Sequence, residues 1–493
     1  MLLSLIFQVH YIMFDPKKHN FIQSNEKKII TLTAVILSAV YISLVWNNNV
    51  WMDEAFTASL VHTDFAGVIS RSMADTLPPL YNILLKLATF IFGYSIPVMK
   101  LTSVIPMILT LIIGATVVRR RFGFKTAVLF MLYITFMPIF FYFGVEIRMY
   151  SLGFFFATAS GIYAYEVVKE PSRKNWVAFT LYSVLAGYSH HFAFVTVAFS
   201  YLYILLYYVF CKRDKIAEWF KCLLATFVLY LPCLLVTLTQ IKRVSGYFSM
   251  PDMDLKMIIH CAEYPYIVGF LPATLVCFLM MATAVALIIA DIVVKKRRDD
   301  AKIYALCCFS VFYGVLIFGT IVSRIMTANI FVDRYLFFAT GLLWLCAAVV
   351  LPENDRMFYT ALIVTAFIAV FTYSGALRTE YGNSATEEIE FLRENVNEGD
   401  VLACIGGHEE MENCIPFYTY VDKDTAELEF VYPLEEAVKV SKERGSTLWI
   451  AVLDGFSMSD EDMDILQNGG LTPDKAADFE FDRYRCELYR AEK

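Results

Sequence analysis

Apolar stretches long enough to cross a bilayer recur from about residue 29 to residue 378 and then stop. Hydrocarbon offers no partner to a backbone N–H or C=O, so stretches of this length must be helices. Eleven are read, at about 29–46, 96–118, 124–142, 151–168, 176–189, 192–210, 217–239, 268–294, 303–322, 335–351 and 357–375. Composition agrees, since 58% of the 493 residues are hydrophobic and 18% are charged, against roughly 25% charged in soluble domains. The expected fold is mainly α and polytopic, with roughly eleven transmembrane helices. It divides into an N-terminal segment (1–28), a membrane module (29–378) and a C-terminal domain (379–493). The opening MLLSLIFQVHYIMF has no basic leader region and no small-residue cleavage site, so it reads as an interfacial helix; Met13 begins a more ordinary basic N-terminus.

Charge is divided between the two main parts. Residues 379–493 hold 28 acidic and 10 basic side chains, a net of −18, whereas 1–378 hold 20 acidic and 31 basic, a net of +11. The basic clusters are Lys27–Lys28, Arg119–Arg121 with Lys125, Lys169 with Arg173–Lys174, Lys212–Arg213 with Lys215, and Lys295–Arg298. With the eleven spans above, all fall on one side, and an excess of Lys and Arg marks the cytoplasmic side. The expected arrangement is a multi-pass plasma-membrane protein, with the N-terminus cytoplasmic and the tail extracytoplasmic.

The segment Pro79–Phe92 tests that count. It is short, and Asn82, Lys86 and Thr89 fall on one helical face. A polar stripe on an apolar helix suits a helix lying in the interface. The long outer segments are then 47–95 and 240–267, and Ser245, Gly246 and Pro251 make the second read as a mobile loop. The tail alternates helix and strand. Helices are expected over Ala385–Asn395 and Leu434–Arg444, and strands near Asp400–Ala403, Glu427–Val431, Thr447–Leu453 and Phe479–Tyr489, with Ser457 capping a further helix. This pattern predicts a small three-layer α/β domain. It has no GxGxxG or P-loop, and no nucleic-acid partner is expected. Three of the eleven cysteines, Cys404, Cys414 and Cys486, lie in the tail, an odd number that fits no complete disulfide framework.

Polar residues gather at four places on the expected outer face: Trp51-Met52-Asp53-Glu54-Ala55, Asp75-Thr76-Leu77-Pro78-Pro79-Leu80-Tyr81, Glu146-Ile147-Arg148-Met149-Tyr150 and Tyr188-Ser189-His190-His191-Phe192. Charges at membrane depth are costly and tend to mark function. Each group also has a plainer reading. Asp53 and Glu54 suit a helix N-terminus, Pro78-Pro79 a helix start, Glu146 and Arg148 a structural pair, and either histidine a polar anchor.

Taken in order, with Arg334-Tyr335 opening a late helix, the four groups resemble the lipid-linked-sugar glycosyltransferases of the GT-C fold. The likeness is to the grouping of protein O-mannosyltransferases, lipid A aminoarabinose transferases and rhizobial galacturonosyltransferases, and it covers residues 29–375. Departures are Leu77 where relatives often have His, Phe143-Gly144 where they often have Tyr-Ser, and a second histidine, His191.

The resemblance implies a membrane glycosyltransferase that moves a sugar from a polyprenyl-phosphate donor to an extracytoplasmic glycan, lipid or protein acceptor, by an inverting displacement. On that analogy Asp53 is the base for the acceptor hydroxyl, with Glu54 beside it. Arg148 and Arg334 stabilise the departing phosphate, with Lys242 and Arg243 in the outer loop as second choices. Glu146, Tyr150, His190 and His191 complete the donor site. Glu54, Glu146 and His190 are candidates to orient the sugar or hold a divalent metal such as Mg²⁺ or Mn²⁺. The competing reading is a transporter or lipid flippase, which would place charges near mid-membrane in broken helices and often show internal repeats; a membrane scaffold displaying the tail ranks below it.

Overall fold

The computed structural model describes residues 16–247, 253–296, 299–326, 329–382, 385–405, 429–453, 456–480 and 485–492. The opening segment and Cys414 lie outside them. The chain forms two compact units. One comprises Met1–Ser43, Ile69–Tyr81 and Leu101–Ala376, and the other Leu44–Val68, Asn82–Lys100 and Leu377–Lys493. Pieces of the outer segment 47–95 thus belong with the tail rather than with the helices.

The first unit is a helical bundle. Every apolar run read from the sequence is helical, and among the described residues seven helices are long and apolar enough to cross a membrane: Ile96–Phe122, His191–Cys211, Arg213–Gln240, Leu271–Val294, Asp300–Ile325, Asp333–Glu353 and one beginning at Asp355. The run at 124–142 is broken into Phe124–Phe136 and Phe140–Val145. Pro138 accounts for the break, since it has no N–H and drives Met137 into an extended conformation. Ile139 follows in the left-handed region (φ 69°).

Tyr150–Lys169 is the most enclosed long helix, buried on nearly every side. Gly153, Ala157, Ala159, Ser160 and Gly161 let neighbouring helices approach it closely. A Cβ at Gly153 would meet Phe338 Cε1 at 2.7 Å, and one at Gly144 would meet Tyr41 Cε1 at 2.8 Å. Glycine at 144 therefore makes room for the buried Tyr41, whose hydroxyl donates to Ile134 O at 2.6 Å.

At the end of the bundle that carries the basic clusters, cations and carboxylates pair. Glu166, with no exposed side-chain surface, accepts from Arg121 Nε at 2.6 Å and Nη2 at 2.7 Å, and from Arg120 Nη2 at 2.9 Å. Lys125 pairs with Asp355, Lys169 with Asp300, and Lys302 with Asp291. These pairs line a cavity of about 970 Å³.

In the second unit, Leu80–Phe92 is a 13-residue helix, too short to span. From Asn82 onward its polar residues face protein: Lys86 Nζ donates to Val61 O at 3.0 Å and Thr89 is buried, while Leu84, Leu87, Phe90 and Ile91 are exposed. An apolar outer face with a polar inner face suits a helix laid against lipid.

The tail holds a five-stranded sheet in the order β2-β1-β3-β5-β4, from Val401–Ile405 (β1), Glu429–Phe430 (β2), Leu448–Leu453 (β3), Thr472–Glu480 (β4) and Arg485–Glu492 (β5). β2, β1 and β3 run parallel, while β5 and β4 add on antiparallel. Alternation along β3 decides the layers. Leu448, Ile450 and Val452 join Leu434, Ala437, Val438 and Leu466 of two helices in one core. Trp449 points the other way and meets Phe391 of the helix Ala385–Asn395. The run near Phe479–Tyr489 is two strands, the end of β4 and the start of β5, because Phe479 and Cys486 pair across an antiparallel ladder. The helix Asp460–Asn468 is capped by Ser459 rather than Ser457, in a reciprocal box with Asp462. No disulfide links the described cysteines.

Candidate functional site

The bundle unit gathers several of the sequence-predicted residues at the end opposite the ion pairs. The segment Glu146–Tyr150 is a tight turn between two helices, in which Arg148 N–H donates to Glu146 O at 2.7 Å. Glu146 and Tyr150 are buried. The two histidines form the next turn. His190 caps the helix His191–Cys211, its Nδ1 accepting the N–H of Phe192 at 3.0 Å.

That hydrogen bond settles the tautomer. A ring nitrogen that accepts an N–H carries no proton, so the proton of the neutral ring is on Nε2. Nε2 is buried and has no hydrogen-bond partner among the described residues. His190 lies outside the spans, and burial first, then His191 and the Arg148 and Arg334 cations, hold its basicity well below the usual imidazole value. It is therefore a neutral ring presenting an unused N–H beside two guanidinium groups. Tyr335 and Phe338 pack on it, with centroids 4.7 and 4.5 Å away.

Other contacts complete the arrangement. His191 Nε2 donates to Thr76 O at 3.3 Å, tying the Asp75–Tyr81 segment to this turn. Gln240 reinforces that tie, its Nε2 donating to Leu77 O at 3.0 Å and Ser72 O at 3.3 Å. Tyr81 and Ser103 hydroxyls hydrogen-bond at 2.7 Å. Asp333 links two elements: Oδ2 meets His260 Nε2 at 3.1 Å, and Oδ1 accepts the N–H of Arg334 at 2.7 Å. Tyr264 joins this group; burial, then Asp333, Tyr142 and Glu146, push its phenol well above its ordinary value.

Gln240, His260, Tyr264 and Asp333 were not singled out from the sequence. Three of them stand in the segment 240–267, where Ser, Gly and Pro suggested a mobile loop. Ser245 and Gly246 lie instead in a helix that continues to Tyr247, and another helix runs over Leu255–Glu263, while Pro251 lies outside the described residues. Lys242 and Arg243 lie on the end of the first, but their side chains lie outside the described residues.

Asp53 and Glu54 stand in the other unit, in the first turn of the helix Met52–His62. Glu54 is buried, and its Oε2 accepts the N–H of Trp51 at 3.1 Å, so it caps its own helix. Asp53 is half-buried.

A divalent ion does not fit His190. A metal ligand needs a lone pair on the ring nitrogen that faces the ion; Nδ1 spends its own on Phe192, and Nε2 carries the proton. Among the described residues, no three His, Cys, Asp or Glu side chains gather to hold an ion.

No family model matches this sequence, and no curated protein does. Solved structures do match. ArnT from Cupriavidus metallidurans in the apo state aligns with a TM-score of 0.63 at 13% identity, covering 94% of this chain and 98% of that one. ArnT from the same organism bound to undecaprenyl phosphate aligns with a TM-score of 0.62 at 12% identity, over 94% and 98%. The likeness is one of fold: this chain has the fold of ArnT over nearly the whole of both chains.

Proposed function

We propose that this protein is a multi-pass plasma-membrane glycosyltransferase that transfers a sugar from a polyprenyl-phosphate donor to an acceptor on the extracytoplasmic face. The observation that carries the reading is a buried His190 whose Nε2–H has no partner among the described residues, with the rings of Tyr335 and Tyr150, beside Arg334 and the Arg148 turn, 4.7 and 6.4 Å from it. Fixed donors beside cations suit an anion whose charge grows as the reaction proceeds. The ArnT structure with undecaprenyl phosphate shows a carrier of this class on the same fold, and the same class is proposed here.

In the proposed displacement the acceptor hydroxyl oxygen attacks the anomeric carbon and passes its proton to a carboxylate base, a role for which the family resemblance nominates Asp53. The bond from that carbon to the phosphate oxygen breaks, its electron pair leaving on the phosphate. Arg148 and Arg334 take up the added charge, and the His190 N–H donates to an oxygen of the donor. Asp333 and His260 act as positioning residues by fixing the backbone at Arg334. No step is routed through a metal.

The test is transfer by purified protein in lipid, offered a panel of polyprenyl-phosphate sugars with and without chelator. We expect glycoside formation or sugar release that survives chelation and is abolished by Asp53→Asn in a folded variant. Full activity of that variant removes Asp53 from the mechanism. Labelled substrate crossing sealed vesicles with no glycoside formed would replace the reading with a transporter.

A further inference from the structure

Within the second unit, the aromatic side chains of Trp46 and Tyr381 are 61% and 46% exposed. They line a pocket of about 360 Å³ together with Asn47, Asn48, Glu380 and Thr386. That volume lies at the low end of the ~300–1,000 Å³ typical of small-molecule sites, room for about one or two sugar rings.

The polar wall of this pocket is built. Lys100 is fully buried; its ammonium pairs with Glu380 and donates to Asn47 Oδ1 at 2.8 Å. Asn47 is further fixed by Nδ2 donating to Leu44 O at 2.6 Å and by the N–H of Asn49 donating to Oδ1 at 2.9 Å. A buried ion pair contributes little net stability. What this one does is hold a carboxylate in one orientation on a pocket wall, with 11% of the Glu380 side chain exposed. Asn48 lines the same pocket with its amide unspent on any described residue.

We propose that this pocket binds a pyranose ring of a glycan. Trp46 and Tyr381 offer flat apolar faces for the C–H face of the sugar, with polar edges that tolerate water. Glu380 accepts from sugar hydroxyls, and Asn48 and Thr386 both donate and accept. An interfacial aromatic belt accounts for Trp46 and for Tyr381 at the end of its helix, but not for two amides and a lysine-held carboxylate beside them. On the glycosyltransferase reading above, on which this assignment of purpose rests, the pocket is a docking subsite for a saccharide acceptor. The sugar can arrive on a soluble glycan or on a glycolipid headgroup.

The test measures binding without donor, using the full chain in phosphatidylethanolamine–phosphatidylglycerol nanodiscs. Cellobiose and chitobiose serve as soluble probes read by saturation-transfer NMR, and monoglucosyl diacylglycerol in the disc serves as the lipid-borne probe read by native mass spectrometry. Trp46→Ala and Asn48→Ala change exposed or half-buried side chains and leave no core cavity. We expect Trp46→Ala to weaken binding at least about tenfold and Asn48→Ala severalfold. Retention of a soluble probe assigns a free glycan, and retention of only the lipid-borne probe assigns a glycolipid. Binding of neither, or equal binding by wild type and both variants, overturns the site. Loss of the site with transfer intact leaves the enzyme reading standing, whereas binding without any transfer overturns that reading and keeps the site.

Discussion

The two ends of the helical bundle use the same residue types in opposite ways. At the end rich in basic clusters, Arg120 and Arg121 close on Glu166, and Lys125, Lys169 and Lys302 each meet an aspartate. At the other end, Arg148 and Arg334 stand near a histidine that is kept neutral and whose buried Nε2–H has no partner among the described residues. Charges that satisfy one another hold helices together. A buried ring N–H with no partner among the described residues is suited to a group the protein does not itself supply. The difference separates scaffold from site inside one unit.

The sharpest way to break this comparison is to remove a cation from each end. Arg334→Ala should lower transfer about 10²–10³-fold, the scale of losing one preformed donor to developing charge. Its unfolding temperature should stay close to wild type, and Arg334→Lys should recover only part of the rate, lacking the bidentate fork. A large loss of thermal stability with little loss of rate per folded molecule would make Arg334 structural.

Glu166→Ala should do the reverse. Removing the buried partner of two guanidinium groups should destabilise the protein by about 3–5 kcal/mol, measured by thermal unfolding in detergent. Transfer per folded molecule should be unchanged.

The smallest effect concerns pH. The folded-state basicity of His190 lies below its unfolded value, so protonation favours the unfolded chain. The stability from keeping it neutral is fully present above the unfolded value, near pH 6.5, and is lost as pH falls below it, by up to about 1.4 kcal/mol per unit. Unfolding temperature should therefore drop on acidification, and His190→Gln should flatten that drop. A profile identical in the variant would show that His190 does not titrate between the two states.

Legibility differed by element. Apolar runs made the long helices readable, and β-branched and aromatic runs made β1 and β3 readable, because burial in lipid or in a sheet demands apolar side chains at fixed periods. Phe479–Tyr489 was less legible: the ladder that pairs Phe479 with Cys486 is a contact between strands, not a pattern along one. Glu54 illustrates the same limit at the site. Its spacing from Trp51 fits both a cap and a catalytic carboxylate, and only the 3.1 Å hydrogen bond shows the cap.

By itself the sequence determined that this is a helical membrane protein with a distinct acidic α/β domain, and which side chains stand at helix ends. Those properties follow from local period, length and charge. Tertiary structure decided which of those ends meet. It brought residues 148, 190 and 334 to one place, recruited Gln240 and Tyr264 from a segment with no motif and Asp333 from beside one, and fixed the proton of His190 on Nε2 through a single backbone contact. A site is a coincidence of positions far apart in the chain, and packing between helices, which no local pattern encodes, brings it about.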